Sequence, residues 1–320
     1  MAKLKDIKGT NVQSIDGDPS NPVEGQIWYN ASATYRVLKG FKLTSTASWS
    51  TTPALNTPRN NQATGGSGDS TAGLSHGGWP ASYDEDNEEF NGTTWSAAAD
   101  MPVGTGSAAG FGTQTAAVHT MGGNPSRIAT TEEYDGTNWT SGGNSPYSAD
   151  VLCGTGILTA GLVAGGNSGS GYVSTAAEYN GTSWTSANSI PQTLNFHSGC
   201  GTQTATIMGA SQVTTPNTFF EYDGTNWTSA ATLGSANYNK AMAGIQTSAI
   251  YAGKGSSSNE TADYDGTSWS DNPATIPFGY GTGTGTGSTA AGANALLAAG
   301  SNGAEYNLPG VPETVTIDVD

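Results

Sequence analysis

The chain is predicted to be all-β, assembled from a repeated unit of four short strands, and three observations carry that prediction. A seven-residue stretch, Glu133-Tyr134-Asp135-Gly136-Thr137-Asn138-Trp139, returns as Glu178 to Trp184, Glu221 to Trp227 and Asp263 to Trp269, with a weaker copy from Glu89 to Trp95. The steps between the tryptophans are 44, 45, 43 and 42 residues, a period that matches the blades of a β-propeller. Each copy places Asp-Gly or Asn-Gly between apolar residues. That signals a tight hairpin, expected here as a type I′ turn with both turn residues at positive φ. The composition agrees: 46 glycines in 320 residues, 11% charged residues and no sustained helical periodicity.

Taken in order, residues 1–40 stand outside the repeat. Asp18-Pro19-Ser20-Asn21-Pro22 reads as a rigid turn, Gly25 to Asn30 as a strand, and Thr34 to Gly40 as its hairpin partner. An isolated hairpin is marginal in water, so this arm is expected to pack on the propeller, another subunit or a larger assembly. Phe41 to Trp49 follows, and Trp49 lies 46 residues before Trp95, extending the tryptophan series backwards. At the other end Glu305-Tyr306-Asn307 restarts the repeat, but no Gly-Thr-x-Trp follows. Residues of about 41–49 are therefore expected to supply the missing outer strand, closing a ring of six blades over residues 41–307 and removing an open sheet edge. Residues 308–320 are read as a C-terminal tail. Within the third blade Val151-Leu152-Cys153 is expected to turn at Gly154-Thr155-Gly156 into Leu158 to Gly166, with matching inner hairpins from Ala109 to Gly123 and Gly199 to Gly209. Gly281 to Gly287 fits either a glycine-rich inner strand or a loop.

The net charge of −16 is unevenly spread. Residues 1–42 carry six cations and four acids, whereas the remainder carries four cations and 22 acids. A strongly acidic body argues against nucleic acid as partner, because phosphate binding needs clustered Lys and Arg. The basic start reads as a docking module, or else as a solvated terminus. No transmembrane run or apolar signal-peptide region is seen, and no membrane insertion is expected. Cys153 and Cys200 occupy equivalent places in successive repeats and are expected to be free thiols. No phosphate loop, nucleophile elbow or chelating His cluster appears. Asp84, Glu85, Asp86, Glu88 and Glu89 could ligate a hard cation but lack regular ligand spacing, and a solvated acidic loop is the simpler reading. No catalytic residue, metal or cofactor is expected.

Antiparallel order separates the connections into two faces. The turns joining strands 1 to 2 and 3 to 4 are short and repetitive. The loops joining strands 2 to 3, and each blade to the next, are long and differ in every copy; they hold Arg59, Trp79, Arg127, Tyr147, Phe196, His197, Tyr238, Phe278 and Tyr280. Loops on a rigid scaffold are where recognition concentrates, so these residues form the candidate binding face. In the arm, Ile27, Trp28, Tyr29, Tyr35 and Leu38 are the candidate docking residues.

The glycine pairs Gly122-Gly123 and Gly165-Gly166, the later Glu-Tyr and the Trp beyond the turn resemble the kelch repeat, which makes the expected fold a six-bladed kelch-like β-propeller preceded by a hairpin arm. The combination of Lys8-Gly9-Thr10-Asn11, Asp18 to Pro22 and Gly25 to Asn30 with blades carrying Gly-Thr-Gln-Thr-Ala and Glu-Tyr-Asp-Gly-Thr-x-Trp is similar to a kelch-like family of marine bacteriophages. That resemblance implies a non-enzymatic virion protein of the tail fibre or tail appendage, assembled in the host bacterial cytoplasm and present in multiple copies per particle. Residues 1–40 would bind tail, portal-proximal or capsid proteins, and the variable face a host-surface glycan or protein. The alternatives are a capsid or tail decoration protein with no receptor role, and a glycan-binding or glycan-cleaving propeller. Kelch propellers also include copper oxidases, but His76, His119 and His197 lie on separate repeats, which argues against that chemistry here. The sequence departs from the pattern at the insertion Tyr83 to Asn87 and at Gly209-Ala210.

Overall fold

The computed structural model describes residues 13–15, 27–30, 37–43, 48–59, 63–64, 71–78, 83–212, 217–236, 238, 240–255, 259–279, 284–286, 296–299, 302–307 and 312–316. None of these residues is helical. The chain divides into two compact units, one made of Met1–Ser48 with Leu308–Asp320 and one of Trp49–Asn307.

The larger unit is a β-propeller. Five blades are four-stranded antiparallel sheets in chain order. Blade 1 is Ala63–Thr64, Gly73–His76, Asn87–Phe90 and Trp95–Ala97. Blade 2 is Ala109–Thr113, Ala116–Thr120, Thr131–Tyr134 and Trp139–Ser141, and blade 3 is Cys153–Ile157, Ala160–Ala164, Ala176–Tyr179 and Trp184–Ala187. Blade 4 is Ser198–Thr202, Ala205–Gly209, Phe219–Tyr222 and Trp227–Ser229, and blade 5 is Ala241–Ile245, Ser248–Lys254, Glu260–Tyr264 and Trp269–Asn272. A further four-stranded sheet joins Thr284–Thr286, Leu296–Ala299 and Asn302–Asn307 to Ser48–Thr52. Part of the Gly281 to Gly287 run is thus a strand. The segment beside Asn302–Asn307 begins at Ser48 and not at Phe41, because Val37–Leu43 belongs to the smaller unit's sheet.

Two local expectations need correction. In blade 3 the turn falls at Leu158 and Thr159, and Gly154 and Gly156 lie inside the strand Cys153–Ile157. The motif hairpin is also not type I′. Tyr134 pairs with Trp139, and the Asp135 backbone N–H donates to the Asn138 carbonyl across a four-residue loop. Only Gly136 takes positive φ, at 89°. The Asp135 side chain acts as a cap instead. Its Oδ1 accepts the N–H groups of Thr137 at 2.8 Å and Asn138 at 2.7 Å. This is an Asx-type cap, and Asn91, Asn180, Asp223 and Asp265 repeat it.

The recurring chemistry of the motif lies between blades. Tyr134 donates its hydroxyl to Glu89 of the preceding blade at 2.8 Å, Tyr222 to Glu178 at 2.8 Å and Tyr264 to Glu221 at 2.9 Å. Tyr179 does the same to Glu133. Each tyrosine ring lies 4.7–4.9 Å from the tryptophan across its own hairpin, at 33–35°. Gln114, Gln203 and Gln246, in the turns between strands 1 and 2, reach back to two carbonyls of the preceding blade, at 2.8–3.1 Å. The apolar clusters fill the spaces so framed. One between blades 2 and 3, for example, holds Phe111, Val118, Val163 and Tyr179.

The smaller unit is a four-stranded sheet in the order Gln13–Ile15, Ile27–Asn30, Val37–Leu43, Pro312–Thr316. The first pair is parallel and the other two antiparallel. Residues 312–316 are therefore not a free tail. They pair with residues 39–43 in register from Lys39↔Thr316 to Leu43↔Pro312, so the expected division at 307 stands, the one at 40 moves to 48, and the segment from 308 joins residues 1–48 in a unit drawing on both ends of the chain. A lone hairpin is unstable because it has too few strands to form an apolar face; here two more strands supply it. Trp28 is fully buried.

Tyr222→Phe leaves the Glu178 carboxylate without its donor and should cost about 1–3 kcal/mol, read by urea denaturation. Adding Glu178→Ala to that variant should cost much less than Glu178→Ala alone, since the two side chains act as one pair.

Candidate functional site

The long loops are held together at the end of the disc opposite the Asx-capped turns. In blades 1 to 4 strand 2 ends in a left-handed residue: Gly77 at φ 64°, Met121 at 62°, Gly165 at 71° and Ala210 at 61°. The structural equivalents of Gly165-Gly166 are thus Met121-Gly122 and Ala210-Ser211, one step earlier than the glycine pair at 122–123 suggests. The residue after this kink turns its N–H to the loop entering the next blade. Gly78 bonds Thr105, Gly122 bonds Ala149 and Gly166 bonds Leu194, at 2.7–2.9 Å. A second left-handed series precedes strand 1, at Ser107, Val151 and Phe196, with φ of 58°, 53° and 46°. These three form a chain of their own: Val151 N–H donates to the Ser107 carbonyl at 2.8 Å, and Phe196 N–H to the Val151 carbonyl at 2.9 Å. A β-branched residue in this conformation is strained, and such strain persists only where surroundings over-determine it. The face is preorganised, with loops of different composition fixed on one frame.

The predicted face residues divide accordingly. Tyr238 is 43% exposed and available to a ligand. Tyr172, 42% exposed, stands on the blade 3 loop of the same face; it was missed, although an aromatic within a Gly/Ser-rich variable loop was a usable signal. Arg127 bridges blades, its Nε 3.2 Å from Asp150 Oδ1 and 3.2 Å from the Asn167 carbonyl. Tyr147 is half-buried on the Phe111 cluster, with its hydroxyl 3.4 Å from the Gly165 and Thr175 carbonyls. Phe196 and Phe278 are half-buried. His197 is buried, and burial lowers its pKa to about 4, so the ring is neutral packing. Trp79 and Tyr280 lie outside the described residues. In the smaller unit Ile27 is half-buried; Tyr29 and Leu38 lie on the strands Ile27–Asn30 and Val37–Leu43, and Tyr35 lies outside the described residues.

Arg59 is the clearest correction. Far from being displayed, it is 1% exposed. Its guanidinium lies 2.9 Å from Glu88 Oε1, 3.4 Å from Asp84 Oδ2 and 3.8 Å from Asp86 Oδ2, and donates to the Asp86 carbonyl at 3.0 Å. Glu88 also accepts the backbone N–H groups of Asn56 and Thr57 at 2.8 and 3.1 Å. The acidic insert is therefore folded around an arginine, with Asp84 and Glu88 turned inward and Glu85 exposed. Among the described residues no group of three His, Cys, Asp or Glu is placed to hold a metal. Cys153 and Cys200 are free thiols, raised by burial, Cys153 to about 12. No helix among the described residues is long and apolar enough to cross a membrane.

A second polar cluster lies between blades 1 and 2. His76 Nδ1 and His119 Nδ1 are 2.8 Å apart, and His119 Nε2 is 2.5 Å from Thr105 Oγ1. Burial keeps both rings neutral, lowering His119 to about 3 and His76 well below its usual value. Beside His119 in register stands Glu132, whose carboxyl burial raises to about 7 against a hydrogen bond from Val103. An alignment of the repeat copies would have revealed part of this cluster, because Glu132 stands where blades 3, 4 and 5 carry Ala177, Phe220 and Ala262.

No known family profile matches the chain, and no curated protein matches it. Among solved structures 226 chains match. One, described as "Structure of YjhT", has a TM-score of 0.62 at 12% identity, over 83% of this chain and 97% of that chain. At that identity the likeness shows the propeller fold alone.

Arg59→Leu strands three carboxylates and should destabilise by about 3–5 kcal/mol, measured by thermal or urea unfolding. Glu132 has its pKa raised on folding from 4.5 to about 7. The folded chain then holds a proton that the unfolded chain releases across that window, so the stability from this group is present at lower pH and lost as pH rises toward 7 and above. The Tm difference between Glu132→Gln and wild type should therefore grow in the variant's favour from pH 5 to pH 8. A difference independent of pH would contradict the assignment. Taking the difference removes the opposing effect of the three depressed histidines, which disfavour folding as pH falls.

Proposed function

We propose that the chain is a virion structural protein of a bacteriophage tail fibre or appendage, with a six-bladed kelch-like propeller that recognises a host-surface glycan or protein. The observation that carries the recognition half is the variable face: unlike loops locked to one another by backbone hydrogen bonds, with Tyr172 and Tyr238 standing free. Exposed aromatic rings on a rigid frame suit stacking on sugars and apolar contacts at low entropic cost. The virion half rests on the sequence resemblance and on the charge contrast between residues 1–42 and the remainder. The smaller unit is the anchor in this reading, binding tail or capsid proteins, and many copies decorate each particle. A decoration protein without receptor role is the second reading, favoured if the variable face proves silent.

Closure of a six-blade ring by Ser48–Thr52 is part of this proposal. Trp49 lies 5.1 Å from Tyr306, slightly wider than the 4.7–4.9 Å of the other Tyr–Trp pairs. Glu305 has no tyrosine to accept from, because the next repeat carries Phe90, and instead Ser50 Oγ donates to it at 3.0 Å. Trp95 Nε1 donates to the Pro53 carbonyl, and Leu55, Phe90, Trp95 and Leu296 share one apolar cluster.

Tyr172→Ala with Tyr238→Ala should lower adsorption of particles to host cells at least tenfold with an unchanged melting temperature. Unchanged adsorption would leave the decorating role. For closure, Trp49→Ala should lower Tm by several degrees, as expected for a lost core aromatic; an unchanged Tm counts against the strand.

A further inference from the structure

The register of the sheets makes every seam between blades comparable, position by position. Near the variable face each blade turns two side chains, one from strand 2 and one from strand 3, toward the next blade and receives two in return. Between blades 2 and 3 these are Thr120 and Thr131 against Val163 and Ala177. Between blades 3 and 4 they are Ala164 and Ala176 against Met208 and Phe220, and between blades 4 and 5 Gly209 and Phe219 against Tyr251 and Ala262. Between blades 1 and 2 the same four places hold His76 and Asn87 against His119 and Glu132. An apolar or hydroxyl-bearing contact has become two imidazoles, an amide and a carboxyl group.

These groups do not satisfy one another. His76, Asn87, Glu132 and Trp139 are at most 7% exposed. Yet His76 Nε2, both polar atoms of the Asn87 amide, Glu132 Oε2 and Trp139 Nε1 make no hydrogen bond. The Asn87 amide lies near enough to the Tyr134 oxygen to lower that phenol's pKa, but outside hydrogen-bond geometry, and the Tyr134 hydroxyl donates instead to Glu89 at 2.8 Å. No choice of tautomer rescues His76. One histidine must donate across the 2.8 Å Nδ1–Nδ1 contact. If His76 donates, its Nε2 is an acceptor in need of a donor; if His119 donates, His76 Nε2 carries a proton in need of an acceptor. Trp139 differs from its repeats as well. Trp184 donates to Thr131 Oγ1 at 2.9 Å, Trp227 to the Asn188 carbonyl at 2.8 Å and Trp269 to the Ala231 carbonyl at 3.1 Å. Asn87 occupies the place of Thr131 in the register but does not accept from Trp139. The rings enclose one locality, since the His76 and Trp139 centroids are 5.1 Å apart and those of His119 and Trp139 6.4 Å apart.

Five unpartnered polar atoms in one dry seam would each carry an uncompensated desolvation penalty, a heavy load for a marginally stable chain. We propose that the seam between blades 1 and 2 is an internal hydration site, in which bound water links Trp139 Nε1, Asn87, Glu132 Oε2 and His76 Nε2. Water fits the set because donors and acceptors are mixed and a buried water makes about three hydrogen bonds. A cation does not fit, because the two Nδ1 atoms already contact each other at 2.8 Å and no metal-ligating triad is formed among the described residues.

The test is a crystal structure of the full chain at a resolution that shows ordered solvent, with Asn87→Thr solved alongside. Expected is at least one solvent peak within hydrogen-bond distance of Trp139 Nε1 and of Asn87 or Glu132. In Asn87→Thr, Trp139 should bond the new hydroxyl as Trp184 bonds Thr131, with that peak lost. In solution the Trp139 indole proton should show a nuclear Overhauser effect to long-lived water that those of Trp227 and Trp269 lack. Direct bonding among the four side chains, a peak at metal-ligand distance, or no water contact at Trp139 would each overturn the proposal.

Discussion

The hydrogen bond from a tyrosine hydroxyl to the glutamate of the preceding blade is the contact on which the ring depends. It joins blades that share no backbone ladder, and it does so with a half-buried charged acceptor. Burial and the neighbouring carboxylate both raise the phenol pKa, so the hydroxyl keeps its proton and remains a donor. The tryptophan covers the tyrosine ring from one side, and the glutamine of the inner hairpin binds carbonyls of the preceding blade. One short motif thus sets hairpin, blade and seam together, which is why it repeats while the loops between copies do not. Where the motif is incomplete another group substitutes: beside the shorter Asp263, Asn272 bridges the carboxylate to the Tyr306 hydroxyl, at 2.6–2.9 Å.

Much of this was legible in the sequence because the repeat writes the same physics several times. The strands, the outer Trp and the separation of short turns from long loops all follow from one period. The turn geometry did not, because Asp-Gly serves two hairpin forms that differ only in whether Asp adopts positive φ or uses its carboxylate as an acceptor. Nor did the pairing of residues 39–43 with 312–316, for which neither strand holds a local signal. Arg59 was misplaced for a related reason. A lone arginine in a loop looks exposed until residues 84–88 fold over it, and the link spans about 25–29 positions of sequence.

The seams are not equal. Near the variable face those beyond blade 2 are closed by apolar side chains and, between blades 2 and 3, by Thr120 and Thr131 as well, whereas the one between blades 1 and 2 is closed by imidazole, amide and carboxyl groups. The same end of the disc carries strain at Val151 and bonds that cross from blade to blade, so position there is fixed by the frame and identity is left to the loop tips.

The Asx-capped turns give the disc an electrical sidedness. Asp135, Asp223 and Asp265 are fully exposed on the short-turn face, and the backbone N–H groups they accept lower each carboxyl pKa. Those charges stay ionised well into acid, since losing one would also open its turn. Two copies brought together by this face would meet as like-charged plates, repelling over roughly the 8 Å reach of electrostatics in physiological salt. The carboxylates that cap three of these hairpins therefore also give the short-turn face its negative charge.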